Sequence, residues 1–134
     1  MDEDTARRRL SGARVGRLAT ITPAGRPHMV PCCFALDGDR IVSAVDAKPK
    51  STLALARLAN LRAHPEVALL VDHYEEDWTA LWWVRADGRG RVVEDGPERE
   101  AALDLLAAKY DQYARHRPPG PVVVIEVTGW RAWP

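Results

Sequence analysis

The spacing of apolar residues changes along the chain and marks out strands and helices. Short apolar runs bounded by turn residues predict six strands, over residues 14–23, 28–36, 41–45, 66–74, 78–95 and 122–130. Helical spacing predicts helices over residues 4–11, over residues 51–63 and from Gly96-Pro97 onward. After the short opening helix the order is βββ-α-ββ-α-β. So few helices favour a small antiparallel barrel over a doubly wound parallel sheet.

Glycine and proline positions refine this prediction. Asp37-Gly38 predicts a tight hairpin turn between the second and third strands. Pro31 cannot donate a ladder hydrogen bond, so we expect part of the second strand at a sheet edge or a bulge. Gly88 and Gly90 predict a bend or bulge in the long fifth strand.

The two longer helices each show an apolar face. Ser51 is a suitable N-cap for the first of them. The expected apolar positions are Leu55, Leu58 and Leu61 in the first helix and Leu103, Leu106 and Tyr110 in the second.

Composition limits the class of protein. A chain of 134 residues suits one domain over residues 1–134 and can bury a core without disulfides. Its 19 Lys and Arg residues balance 19 Asp and Glu residues, so we expect no nucleic-acid or anionic-membrane partner. No segment is apolar for long enough to cross a bilayer, and the acidic start MDEDTARRRL does not resemble a signal peptide. We therefore expect a cytoplasmic protein.

The positions of the cysteine, histidine and serine residues indicate neither a metal site nor a hydrolytic active site. Cys32 and Cys33 are adjacent, as is typical of unbridged cysteines in a reduced chain. The four histidines are scattered, with no cysteine pair to complete a zinc site. No serine stands in a G-x-S-x-G context.

Two of the three lysines lie in the segment DAKPKS, just before the helix predicted over residues 51–63. Cations are unfavourable at a helix N-terminus, where unpaired N–H groups already carry partial positive charge. Lys48, Lys50 and Ser51 are well suited to a phosphate group bound at that point. The residues alone leave a second interpretation open, in which Asp46 neutralises one lysine and solvent surrounds the other.

Aromatic residues and arginines mark a second region. Trp78, Trp82 and Trp83 crowd one predicted strand, and Trp130 and Trp133 lie near the C-terminus. They suit a core, a subunit interface or the wall of a groove for a flat ring. Arg85, Arg89 and Arg91 share one face by period two, and such a face is either solvated or suited to an anionic tail.

Three segments taken in order resemble the pyridoxamine 5′-phosphate oxidase-like superfamily. They are GRLATITPAGRPHMVPCCFALDGDRIVSAVDAKPKSTLALARLANLRAHPEVALLVDHY, DWTALWWVRADGRGRVV and GPVVVIEVTGWRAW. The closer resemblance is to its flavin/deazaflavin oxidoreductase B branch, which includes actinobacterial proteins predicted to use coenzyme F420. The resemblance implies a mainly β (α+β) fold, a split β-barrel of six to seven antiparallel strands with two or three helices. It also implies a homodimer with a cofactor in each of two grooves between the subunits.

The resemblance also implies which residues hold the cofactor. The matching positions are Lys48, Lys50 and Ser51 for the phosphate; Met29, Val30, Pro31 and Cys32 for the ring; Leu69, Leu70 and Val71 on a strand near ring or phosphate; and residues Trp78 to Trp83 from the partner subunit. Arg57, Arg85 and Arg89 are candidates for the anionic tail of F420.

The implied activity is that of an F420-dependent reductase, which transfers a hydride from the reduced deazaflavin to an unsaturated small-molecule acceptor. His28, Tyr74 and Tyr113 are available as proton donors, and water is a further source. Two alternatives stay open: an F420-binding carrier without catalysis, and an FMN-dependent flavin reductase or pyridoxamine phosphate oxidase-like enzyme. The choice of F420 over FMN rests on the resemblance and not on the spacing of charges.

Overall fold

The computed structural model describes residues 1–45 and 52–134, with side chains described for residues 1–45 and 56–134. In chain order the elements are α1 (Glu3–Gly12), β1 (Gly16–Ile21), β2 (Pro27–Cys32), β3 (Ala35–Asp37), β4 (Arg40–Ala44), α2 (Thr52–Ala63), β5 (Glu66–His73), β6 (Trp82–Val93), α3 (Pro97–Lys109), α4 (Asp111–Arg115) and β7 (Val122–Trp133). A short 3₁₀ turn, Trp78–Ala80, precedes β6.

All seven strands form one antiparallel sheet, in the order β2-β1-β5-β6-β7-β4-β3. The sheet curls into a half-barrel, which confirms the mainly β split-barrel prediction. The described elements include four helices instead of the two or three expected. The additional one is α4, a single five-residue turn that is too short to show a period in the sequence.

The predicted strand over residues 28–36 is wrong in one respect, because it is two strands that lie at opposite edges of the sheet. β2 pairs with β1, and β3 pairs with β4. The chain leaves the sheet at Phe34, whose backbone N–H donates to the Tyr110 hydroxyl over 3.1 Å instead of to a neighbouring strand. Pro31 lies on an edge strand, as predicted from its missing N–H.

Two apolar clusters form the core. One lies between α1, α2 and the inner face of the sheet, where Leu10, Leu18 and Leu69 are almost fully buried. The second lies under α3, where Leu103 and Leu106 pack with the strand residues Val122 and Val124. Leu58 and Leu61 are buried as expected from helical spacing. Tyr110 follows α3 as its C-cap residue instead of belonging to it, and it is buried too.

β6 and β7 are the longest strands and pair along their whole length, with a register shift between Asp87 and Gly88. This irregularity confirms the predicted bulge. A Cβ atom on Gly88 would stand 2.4 Å from the carbonyl oxygen of Glu126, so only glycine allows the two backbones to approach this closely.

The β3–β4 hairpin is confirmed, with its turn centred on Gly38 and Asp39 because Asp37 pairs with Arg40. Gly38 has a φ of 61°, in the left-handed region that glycine adopts most readily.

In the described part of the chain, no helix combines the length and apolarity needed to span a membrane. Over the same residues, no three His, Cys, Asp or Glu side chains gather as metal ligands.

Candidate functional site

The sheet has an outer face, formed by the side chains of five adjacent strands that point away from the core. Buried residues on these strands alternate with partly or fully exposed ones, so the register of the ladders shows which exposed residues are neighbours. The outer face consists of Met29 and Pro31 on β2, Arg17 and Ala19 on β1, Ala68, Leu70 and Asp72 on β5, Trp83, Arg85 and Asp87 on β6, and Gly129, Arg131 and Trp133 on β7.

A groove of about 430 Å³ opens at one end of this face. Its walls are mostly aromatic and aliphatic, and Trp83 lies directly opposite Trp133 in the β6–β7 ladder. The lining residues are Leu70, Asp72, His73, Tyr74, Leu81, Trp82, Trp83, Arg85 and Trp133. The volume lies within the range of roughly 300–1,000 Å³ that is typical of small-molecule sites.

The groove also carries charge. Arg85 donates two hydrogen bonds to the Asp87 carboxylate, of 2.7 Å and 3.1 Å, and Arg17 pairs with Asp72 at 3.3 Å. On the rim, His73 stacks on Trp82 with ring centroids 6.0 Å apart, and its Nε2 lies 2.5 Å from a Glu75 carboxylate oxygen. The site therefore combines flat apolar walls with a few polar groups, which suits a planar conjugated ligand.

The ring-lining residues expected on β2 are divided between two faces. Met29 and Pro31 lie on the outer face, and the Met29 side chain is 66% exposed. Val30 and Cys32 face inward, and Cys32 is buried. Burial raises the pKa of the Cys32 thiol, an effect that the nearby Arg57 guanidinium partly offsets.

The expected positions on β5 follow the same alternation. Leu69 and Val71 are among the most deeply buried side chains, whereas Leu70 between them lines the groove. Trp78 is 68% exposed in the 3₁₀ turn, where Asp77 accepts a hydrogen bond from the Thr79 backbone N–H. Lys48, Lys50 and Ser51, expected to bind the phosphate, lie outside the described residues.

The arginines proposed for an anionic tail lie in different parts of the structure, and one of them is at the groove. Arg85 lines the groove. Arg89 pairs with Glu66 at 3.0 Å, and Arg91 is held by Glu98 and Glu126. Arg57 belongs to α2, and its Nε atom is buried without a hydrogen-bond partner among the described residues.

The sequence did not identify the groove as a unit. It indicated the tryptophans as a group, but not that Trp83 and Trp133 meet across two strands. That pairing depends on the bulge at Asp87/Gly88, which sets the β6–β7 register. Leu81 also lines the groove, but nothing in the sequence distinguishes it from any other apolar residue. Of the three proposed proton donors, Tyr74 lines the groove and His28 and Tyr113 do not.

Several proteins of known structure share this architecture. Protein Rv2991 of Mycobacterium tuberculosis superposes with a TM-score of 0.79 at 23% identity, over 99% of this chain and 84% of that one. A Bacteroides thetaiotaomicron protein described as a 5-nitroimidazole antibiotic resistance protein gives 0.76 at 16%, over 98% and 82%. The haem storage protein HutZ of Vibrio cholerae gives 0.73 at 15%, over 96% and 92%. At these identities the likeness establishes the fold alone.

The curled seven-stranded sheet and its helices are those of a split-barrel protein. Residues 2–134 match the family model for pyridoxamine 5′-phosphate oxidase, and the chain belongs to that family. Among curated proteins, none matches this sequence.

Proposed function

We propose that the protein is a coenzyme F420-dependent reductase that transfers a hydride from the reduced deazaflavin to an unsaturated small-molecule acceptor. Family membership supports a cofactor with a flat ring and a phosphate. The sequence resemblance to the flavin/deazaflavin B branch supports F420 over FMN. The cofactor would supply the hydride, and the chain's own residues would bind, orient and exclude water.

The observation that carries the proposal is the aromatic groove. Trp83 and Trp133 offer flat apolar surface, and Leu70 and Leu81 add aliphatic walls, an environment that suits a tricyclic ring. Tyr74 and His73 line the same groove, and their side chains are available to supply a proton to an acceptor bound there. Lys48, Lys50 and Ser51 are proposed to hold the cofactor phosphate.

We further propose that two copies of the chain complete each site. The described surface exposes large apolar side chains on and beside the outer face, among them Met29, Tyr74, Trp78 and Trp133. A second copy would cover such a surface. In this arrangement the groove of one chain would face the β2 strand and the residue 48–51 segment of the other. We expect a dimer in sedimentation velocity, and a monomer that binds cofactor would contradict the arrangement.

The decisive experiment is a parallel titration of purified protein with F420, FMN and hemin. Quenching of tryptophan fluorescence reports binding in each case, because tryptophans line the groove. We expect F420 to bind most tightly. Hemin is included because HutZ is a haem storage protein. Tightest binding of hemin with a Soret band, or of FMN with a bound flavin spectrum, would overturn the choice of F420.

The phosphate assignment has its own test in the double variant K48A/K50A. Loss of two charge-assisted contacts should weaken F420 binding by about 1.5–3 kcal/mol for each contact. The control R26A/R115A also removes two positive charges, from exposed residues whose side chains form no ion pair with the described residues. Equal affinities of the two double variants would reject the assignment.

Turnover separates an enzyme from a carrier. Oxidation of reduced F420 is followed with a panel of enones, quinones and tetrapyrroles as acceptors. Tight F420 binding without oxidation by any acceptor would favour the non-catalytic carrier.

A further inference from the structure

One row of the outer face is rich in arginine. Across four adjacent strands the ladder register brings Arg17, Leu70, Arg85 and Arg131 side by side. Arg85 and Arg131 are direct cross-strand partners. Like charges opposite each other on neighbouring strands are unfavourable unless a counter-charge lies close by.

Two of these arginines already have a carboxylate. Asp72 pairs with Arg17, and Asp87 pairs with Arg85. Arg131 is exposed, and its guanidinium donates only to the carbonyl oxygen of Trp130, over 3.3 Å, in the described part of the chain. The Arg85, Arg131 and Asp87 group therefore carries a net charge of +1, from two positive charges and one negative charge.

This group lies beside the groove. Arg85 lines it, and Trp133, two residues after Arg131 on the same face, forms part of its wall. A planar ligand stacked on Trp83 and Trp133 would thus have its edge close to the guanidinium groups. The guanidinium fork matches the geometry of a carboxylate.

We propose that Arg131, together with Arg85, forms an anion subsite of the groove, and that the acceptor, which lies over the cofactor ring in the same groove, is a planar conjugated molecule with a carboxylate group. This inference rests on the proposed function for the role of the ligand as an acceptor, but the subsite itself does not require F420. The inference narrows the class of proposed acceptors to flat molecules that carry a negative charge.

The test uses two fluorescent probes with the same ring, pyrene-1-carboxylate and 1-pyrenemethanol, without any cofactor. The wild-type protein should bind the carboxylate roughly three- to tenfold more tightly, the range expected for one partly exposed charged contact. That preference should shrink as the salt concentration rises. In R131A the preference should fall to about one, while the affinity for the alcohol stays the same. R131K should keep part of the preference, because lysine retains the charge but loses the fork.

Two results would overturn the proposal. The first is an unchanged preference in R131A, or the same loss in R115A, which removes an exposed arginine of α4. If an unchanged preference in R131A comes with a loss of dimer or a drop in F420 affinity, Arg131 belongs to the subunit interface or to the cofactor tail. The second is failure of the carboxylate probe to bind the wild-type protein. Because the probe titrations contain no cofactor, failure to bind F420 in the parallel titration would leave their outcome intact.

Discussion

The Tyr110 hydroxyl joins three distant parts of the chain at the point where the second predicted strand breaks. It accepts a hydrogen bond from the Phe34 N–H over 3.1 Å. It lies 3.0 Å from the carbonyl oxygens of Arg14 and Phe34, and its single proton can be donated to one of them at a time. Phe34 is fully buried and Tyr110 is only 8% exposed, so water cannot replace the lost partner.

Tyr110→Phe removes one oxygen atom and keeps the ring. The Phe34 N–H then lacks an acceptor, which costs about 1–3 kcal/mol for a buried group. The donated bond adds about 0.5–1.5 kcal/mol, because the Phe34 carbonyl still accepts from Lys109 at 2.9 Å and only the Arg14 carbonyl loses its donor. We therefore expect the free energy of unfolding to fall by roughly 2–4 kcal/mol.

Urea unfolding at one fixed protein concentration measures this change, since self-association would otherwise add to the apparent stability. The matched control is Tyr74→Phe, which removes a hydroxyl 3.4 Å from Glu76 on a residue that is 62% exposed. The control should change stability by less than about 0.5 kcal/mol. Amide hydrogen exchange gives a local readout, and we expect the Phe34 amide to lose protection. Y110F within about 0.5 kcal/mol of wild type, or full protection of that amide, would refute the reasoning.

Two further predictions concern charge and backbone. Burial and, secondarily, the Arg14 guanidinium lower the pKa of Lys109 to about 8. Between that value and the ordinary lysine pKa of about 10.4, the unfolded chain holds a proton that the folded chain has released. Wild-type stability should therefore rise with pH in this window relative to K109M, by less than about 1.4 kcal/mol per pH unit because the side chain is partly exposed. Parallel slopes for the two proteins in urea titrations would contradict this. Gly88→Ala should destabilise the protein by about 2–4 kcal/mol, because its Cβ would overlap the Glu126 carbonyl oxygen. Gly129→Ala, with nothing within 4 Å of the added atom, should leave the melting temperature almost unchanged, and equal shifts would count against the packing argument.

The elements that the sequence predicted well are those whose signals are local. Short apolar runs bounded by turn residues located the strands around Leu18, Leu69 and Ile125, because strand residues and turn residues are recognisable from their immediate neighbours. The bulge at Gly88 was predictable because glycine in a strand marks a close approach of backbones.

The break at Phe34 was not predictable, because Tyr110 lies 76 residues further along the chain. Nothing in the local pattern of residues 28–36 distinguishes one long strand from two short ones. The α4 turn was missed for a related reason, since five residues cannot establish a helical period.

The candidate site, like the fold, was predictable only in part. The sequence indicated the tryptophans, the arginines and the paired lysines as candidate binding residues, and period two predicted that Arg85, Arg89 and Arg91 share a face. It did not show that Trp83 stands opposite Trp133, or that Arg131 stands opposite Arg85 without a carboxylate partner among the described residues.

By itself, then, the sequence determined the mainly β character of the chain, the positions of most strands and the chemistry of the side chains. The tertiary structure decided which strands are neighbours and in what register, and so created the groove. The physical reason is that apolar runs and turn signals depend on adjacent residues, whereas ladder register depends on bulges, caps and contacts between residues far apart in the chain.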